Sequence, residues 1–305
     1  MCRLELIREE NTQGNYFNST QDLYMNFSSA RLYFYQEIQQ PDEQIDLAKA
    51  ALYIAQEEYP DLDTAEYLNA LDTMAGEVQE CLPASPYPLR IIQTLNEYLY
   101  TDLGFAGNQT DYYDPCNSFL NDVIDRRMGI PITLALVYLE IARRIDFPMV
   151  GVGMPGHFLI RPDIPDMEIF VDAFNGGEVM FAEDCENHLS QMFQEPVSLR
   201  PEFLASVTNR QFLARMLTNL KYIYLKQQNL AKSLAAVERI LFLFPGMILE
   251  VRDSASADLS VRGLLYYQLG EYHQAADDLQ SYLVKVPHAE DAVVIRQLLA
   301  EMGKD

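Results

Sequence analysis

Two short stretches hold the residues best suited to acid–base chemistry. PGHFLIRP, residues 155–162, sets His157 between a glycine and a run of large apolar residues, and EIFVDAF, residues 168–174, carries Asp172. Both contain short β-branched and aromatic runs, and PDIPDM between them is a turn-forming sequence. Paired as an antiparallel hairpin with residue numbers summing to 329, Arg161 faces Glu168, Leu159 faces Phe170 and His157 faces Asp172. Side chains on a strand alternate with period two, so all three pairs share one face. A histidine held by a carboxylate has a fixed tautomer and can serve as general base to a nucleophile. The same pair can also do no more than lock a sheet edge. The nucleophile for such a base is a Cys, Ser or Thr near a helix N-terminus, where the helix dipole favours an anion.

The surrounding elements must position that pair. MVGVG, residues 149–153, reads as a third strand. Ahead of it, GIPITLALVYLEIARR is apolar nearly all round, the mark of a buried central helix. Pro131 falls in its first turn, where a missing N–H costs nothing, and its polar members Thr133 and Glu140 share a face. Upstream, residues 26–104 read as helices. In DEQIDLAKAALYIAQEEYP, Ile45, Ala48, Leu52 and Ala55 form one stripe that stops at Pro60. AEYLNALDTMAGEVQECL and PLRIIQTLNEYLY repeat the pattern, and DPCNSFLNDVIDRR follows with Asn117 or Ser118 as N-cap. FNGG, residues 174–177, is a turn signal and not a phosphate loop.

The C-terminal part is helical and repetitive. Gly263, Tyr266, Gly270, Tyr272, Ala275, Tyr282 and Pro287 follow the spacing of a tetratricopeptide helix pair. Tyr224, Leu230, Ser233 and Ile240, closing at Pro245, form a weaker copy 42 residues earlier. That exceeds the usual period of about 34, so GMILEVRDSASAD reads as an inserted linker. Two repeats stack poorly alone, and the tail is expected to pack on the rest of the chain.

Charge narrows the partner classes. The net charge of −23 belongs entirely to residues 1–208, because residues 209–305 hold 11 acids and 11 bases. An acidic surface repels phosphate backbones and anionic headgroups, which argues against nucleic acid and membrane. No apolar run is long enough to span a bilayer. Residues 1–25 read as a loose polar tail with no secretory h-region, and Met25 is an equally good start. Four scattered cysteines without CxxC or a zinc spacing suit a reduced cytoplasm and call for no metal. No cofactor motif is present. The fold expected is α+β: a helical N-terminal region and a core with a central helix on a small antiparallel sheet over 26–200, then an all-α tail over 205–305.

YYDPCNSFLNDVIDRRMGIPITLALVYLEIARR, VGVGMPGHFLIR and VDAFNGG, in that order, resemble the transglutaminase-like core of the SirB-type family, which commonly carries a tetratricopeptide tail. The resemblance covers roughly residues 41–195 and the tail. It implies a papain-type Cys–His–Asp arrangement, with the cysteine two residues after a glycine and opening the central helix. Gly129, Ala135, Arg143 and Pro148 fall into that pattern, and the cysteine position is then Pro131, which has no nucleophilic atom. His157 and Asp172 are left as a residual dyad. Thr133, two residues on, and Cys116, where the family block usually has a charged residue, are the substitutes available. Two functions follow. One is a non-catalytic interaction protein that meets a protein or peptide through its tail. The other is a hydrolase or acyltransferase acting through Thr133 or Cys116 with His157 and Asp172.

Overall fold

A computed structural model describes residues 28–244 and 254–303. The polar tail of residues 1–25, Met25 included, lies outside the described residues, as does Pro245.

The N-terminal helices begin where side chains can satisfy free backbone N–H groups. Helix α1 (Ser29–Glu37) is capped by Ser28, α2 (Leu47–Gln56) by Asp46 and α3 (Thr64–Cys81) by Asp63. The stripe Ile45, Ala48, Leu52 and Ala55 is buried. Helix α4 (Pro88–Asn96) starts at a proline and widens into a π-turn over Glu97–Asp102, so the expected single helix changes pitch before its end. Helix α5 (Leu120–Arg126) corrects another expectation. Neither Asn117 nor Ser118 caps it; both belong to a 3₁₀ turn, Pro115–Ser118, capped by Asp114. Asn117 is fully buried and donates its amide to the carbonyls of Asp111 and Tyr112. It pins the preceding loop instead.

The central helix α6 (Pro131–Arg144) is buried from Pro131 through Ala142. Short strands β1 (Ala106–Gly107) and β2 (Met128–Gly129) pair in parallel just before it. The main sheet is antiparallel, with β3 (Met149–Val152), β4 (Leu159–Pro162), β5 (Phe170–Asp172) and β6 (Glu178–Met180) neighbouring in chain order. Its register differs from the expected one. Ile160 pairs with Val171, so paired numbers sum to 331. The turn takes more residues than expected, with Asp166 in the left-handed region at φ 62° and β5 starting only at Phe170. Glu168 therefore precedes the strand, and no Arg161–Glu168 pair forms; Arg161 donates to the Pro162 carbonyl. A slip of two residues preserves the face, because side chains alternate with period two. His157 and Asp172 stay on the same side, diagonal to each other.

The tail consists of α8 (Asn209–Lys226), α9 (Leu230–Leu243), α10 (Ser254–Gln268), α11 (Tyr272–Lys285) and α12 (Ala292–Met302), with α7 (Ala182–Phe193) preceding it. Phe212, Leu213, Met216, Leu217 and Leu220 of α8 join the same hydrophobic core as α6. The second helix pair and α12 form a small core of their own around Leu259, Leu279, Tyr282 and Ile295. Gly263 is needed where its helices cross, since a Cβ there would lie 2.7 Å from Leu279 Cγ. The expected linker is partly corrected: residues 246–253 lie outside the described residues, but Ser254 begins α10. One turn further on, Asp258 pairs with the buried Lys221 Nζ at 2.5 Å.

Candidate functional site

His157 leaves a tight turn, its backbone N–H donating to the Met154 carbonyl. Gly156 makes that turn possible: its φ is 73°, and a Cβ there would lie 2.2 Å from Met192 Sδ. Asp172 ends β5 and begins the 3₁₀ turn Ala173–Asn175. Its carboxylate is full. Oδ1 accepts from the backbone N–H groups of Phe174 and Asn175 at 3.0 and 3.3 Å. Oδ2 lies 2.7 Å from His157 Nε2 and accepts from Asn175 Nδ2 at 2.8 Å. His157 is 7% exposed and Asp172 1%. Burial pushes the Asp172 carboxyl up, but the hydrogen bond and charge of His157, with the donors from Asn175 and Phe174, hold it below the ordinary carboxylate value.

Two further aromatic groups frame the imidazole. The ring of His188, from α7, lies 4.9 Å away, and Phe174 meets it edge-on at 6.4 Å. Burial, and then the neighbouring charge of His157, lowers the pKa of His188. Sequence reading missed His188 and Asn175 as members of this group. Asn175 had a signal: it stands three residues after Asp172, the spacing at which a capping Asp accepts from the N–H of the turn it opens. His188 had none, since its helix places it by tertiary packing.

The proposed nucleophiles have other partners. Thr133 is fully buried, and its Oγ1 donates to the Asn117 carbonyl at 2.7 Å and accepts from the Ile130 N–H at 3.1 Å. Cys116 Sγ lies 3.8 Å from the Tyr59 hydroxyl, which donates to Asp122. Burial and the charges of Asp122 and Asp114 push its thiol up, an effect that its contact with the Tyr59 hydroxyl offsets only in part. Cys185, on α7, is buried and pushed up to about 11 by burial and then by the charges of Asp184 and Asp172. Pro131 occupies the first turn of α6. Among the described residues no group of three or more His, Cys, Asp or Glu could hold a metal ion, and no helix is long and apolar enough to cross a membrane.

A buried helix leading into an antiparallel sheet that carries a His–Asp pair, followed by repeated helix pairs, defines a transglutaminase-like core with a tetratricopeptide tail. The comparisons agree. A family model described as transglutaminase-like superfamily matches residues 65–218, and one for the tetratricopeptide repeat matches 220–300. The chain belongs to the UPF0162 family of transglutaminase-like proteins. It is 36% identical to a UPF0162 protein of Xylella fastidiosa over 272 residues, 87% of this chain and 92% of that one. A UPF0162 protein of Vibrio cholerae is 27% identical over 207 residues, 68% of this chain and 73% of its own. A 140-residue stretch, 43% of this chain, is 34% identical to human F-box only protein 21, of which it covers 21%. No solved structure matches the chain.

Proposed function

We propose that this protein is a cytoplasmic, non-catalytic interaction protein. Its transglutaminase-like core lacks the nucleophile, and its tetratricopeptide tail engages a protein or peptide partner. One observation carries the reading: proline stands at the first position of the central helix, where the resemblance to the transglutaminase-like superfamily implies a nucleophilic cysteine. Two others support it. The Thr133 hydroxyl is committed to backbone groups, and the Cys116 thiol is pushed away from the thiolate that nucleophilic chemistry needs. Tetratricopeptide repeats in general mediate protein–protein contacts through their stacked helical surface.

The completeness of the His157–Asp172–Asn175 arrangement favours a second reading, hydrolysis or acyl transfer through Thr133 or Cys116. Two labelling measurements separate the readings. Alkylation of Cys116 followed against pH should give an apparent pKa above about 8.5, unchanged in His157→Ala. A fluorophosphonate probe should leave Thr133 unlabelled by mass spectrometry. A depressed, His157-dependent thiol pKa, or specific labelling of Thr133, overturns the non-catalytic reading. On the interaction side, a partner recovered with the full chain should be lost with Gly263→Val, which disrupts the crossing in the second helix pair.

A further inference from the structure

Strand β3 forms one edge of the main sheet, with β4 on its inner side. Val150 pairs with Arg161, and the Pro148 carbonyl accepts from the Asp163 N–H, so the backbone groups of Pro148, Val150 and Val152 point toward β4. Antiparallel ladders alternate, and the groups of Met149 and Gly151 therefore point outward. The chain itself uses half of that outer edge. Val207 donates to the Gly151 carbonyl at 2.9 Å, and Ser206 bridges Val152 in antiparallel sense. It then leaves the edge, because Thr208 caps α8 and Asn209 turns to Asp42 and Ile45. Among the described residues no hydrogen bond uses the outward N–H and C=O of Met149.

A cavity of about 390 Å³ opens at that position, between β3, the end of α6 and the starts of α2 and α8. Its volume falls within the range for ligand sites, roughly 300–1,000 Å³. Its charged lining is Glu43, Asp46 and Glu140 against Arg143, three carboxylates to one guanidinium. Glu140 is 4% exposed. Arg143 and Arg144 both donate to its Oε2, and among the described residues no hydrogen bond reaches its Oε1. Asp46 spends Oδ1 on the Lys49 N–H. Glu43 is exposed and makes no ion pair among the described residues. A buried carboxylate oxygen left without a donor is costly, and a cation entering the cavity would complete it.

We propose that the β3 edge is a docking site for an extended basic peptide segment of a partner protein. Its backbone pairs with Met149, and one lysine or arginine side chain reaches the carboxylates of Glu43, Asp46 and Glu140. Pairing with a sheet edge supplies main-chain hydrogen bonds, and the pocket beside it supplies specificity. The aliphatic stem of the basic side chain packs on Leu139 and Phe212, which also line the cavity. Long-range charge favours the same partner, since residues 1–208 carry the whole net charge of −23. The site goes beyond the tail-mediated contact, and either one can fail without the other.

The test is titration calorimetry on the full chain with two peptides, acetyl-Val-Thr-Lys-Val-Thr amide and acetyl-Val-Lys-Thr-Val-Thr amide. Together they present the cation on either face of a strand. At least one should bind with a Kd of about 1 mM or tighter. The same peptide with glutamate for lysine, or with its backbone N-methylated, should bind at least about five-fold more weakly. Glu43→Lys, at an exposed position, should weaken binding about five-fold. Met149→Pro removes only the outward N–H, a change that edge strands accept, and should weaken binding by a similar factor. If Met149→Pro fails to fold, the N-methylated peptide on the unaltered chain tests the same main-chain pairing. No saturable binding of either lysine peptide, equal binding of the glutamate peptide, or indifference to both N-methylation and Glu43→Lys would each overturn the proposal.

Discussion

The start of the central helix and the corner of the sheet are both buried polar sites, and they use their side chains differently. At the helix start Thr133 spends its hydroxyl on backbone groups of Asn117 and Ile130, tying the 3₁₀ turn to α6. At the sheet corner Asp172 accepts four hydrogen bonds, and one of them comes from a second titratable side chain. Among the described residues no hydrogen bond uses Nδ1 of His157. The helix start therefore does structural work that any small hydroxyl could do. The corner retains an oriented acid–base pair. The difference shows that the pair at the corner does not depend on the helix start, because Asp172 also begins the turn that follows it.

That comparison breaks or sharpens under mutation. Asp172→Ala should have the largest effect, about 3–5 kcal/mol of stability, because it strips His157, Asn175 and two backbone donors of their shared acceptor. Chemical denaturation measures it, and a loss within experimental error would mean the corner is not held as described. Thr133→Val should cost about 1–3 kcal/mol, with Thr133→Ser closer to wild type because the hydroxyl is kept. If Thr133→Val cost as much as Asp172→Ala, the contrast between the sites would disappear.

Pro131→Cys tests whether the two halves still face each other. Its thiol, at a helix N-terminus, should show thiolate absorbance with an apparent pKa below about 8.5, rising in the His157→Ala background. A thiol indifferent to His157 would mean that the corner no longer addresses the helix start.

The pH effects are smaller. Asp172 has a folded pKa below its unfolded value, so its contribution is complete above about 3.9 and fades as pH falls through the folded value. Asp172→Asn should remove that acid slope. His188 also has a lowered pKa, so the folded state favours the neutral ring. Its contribution is complete above about 6.5 and declines as pH drops toward the folded value, with a slope below about 1.4 kcal/mol per pH unit. His188→Asn should flatten stability just below 6.5, and an unchanged profile there would remove His188 from the corner's electrostatics.

Much of the fold was legible because its signals are local. The stripe at Ile45, Ala48, Leu52 and Ala55, the apolar ring around α6 and the glycine–tyrosine spacing of the tail each follow from short-range periodicity. The caps of α2 and α3 at Asp46 and Asp63 are equally local signals, though the sequence reading did not name them. The cap of α5 was not legible, because Asn117 had stronger partners in its own loop. The π-turn after Asn96 has no local signature, and the start of α10 at Ser254 cannot be read from an apparently polar linker.

The residues alone determined that a His and an Asp would meet on one face, that proline would open the central helix, and that the acidity would lie outside the tail. Period-two alternation makes the first point survive any even slip in register, which is why an error of two in the pairing left it intact. Tertiary structure alone decided the rest. His188 beside His157, Asn175 on the Asp172 carboxylate and the raised thiol of Cys116 all depend on which elements pack together. Burial, hydrogen-bond completion and the charge of distant neighbours act through space, and chain order does not encode them in any one stretch.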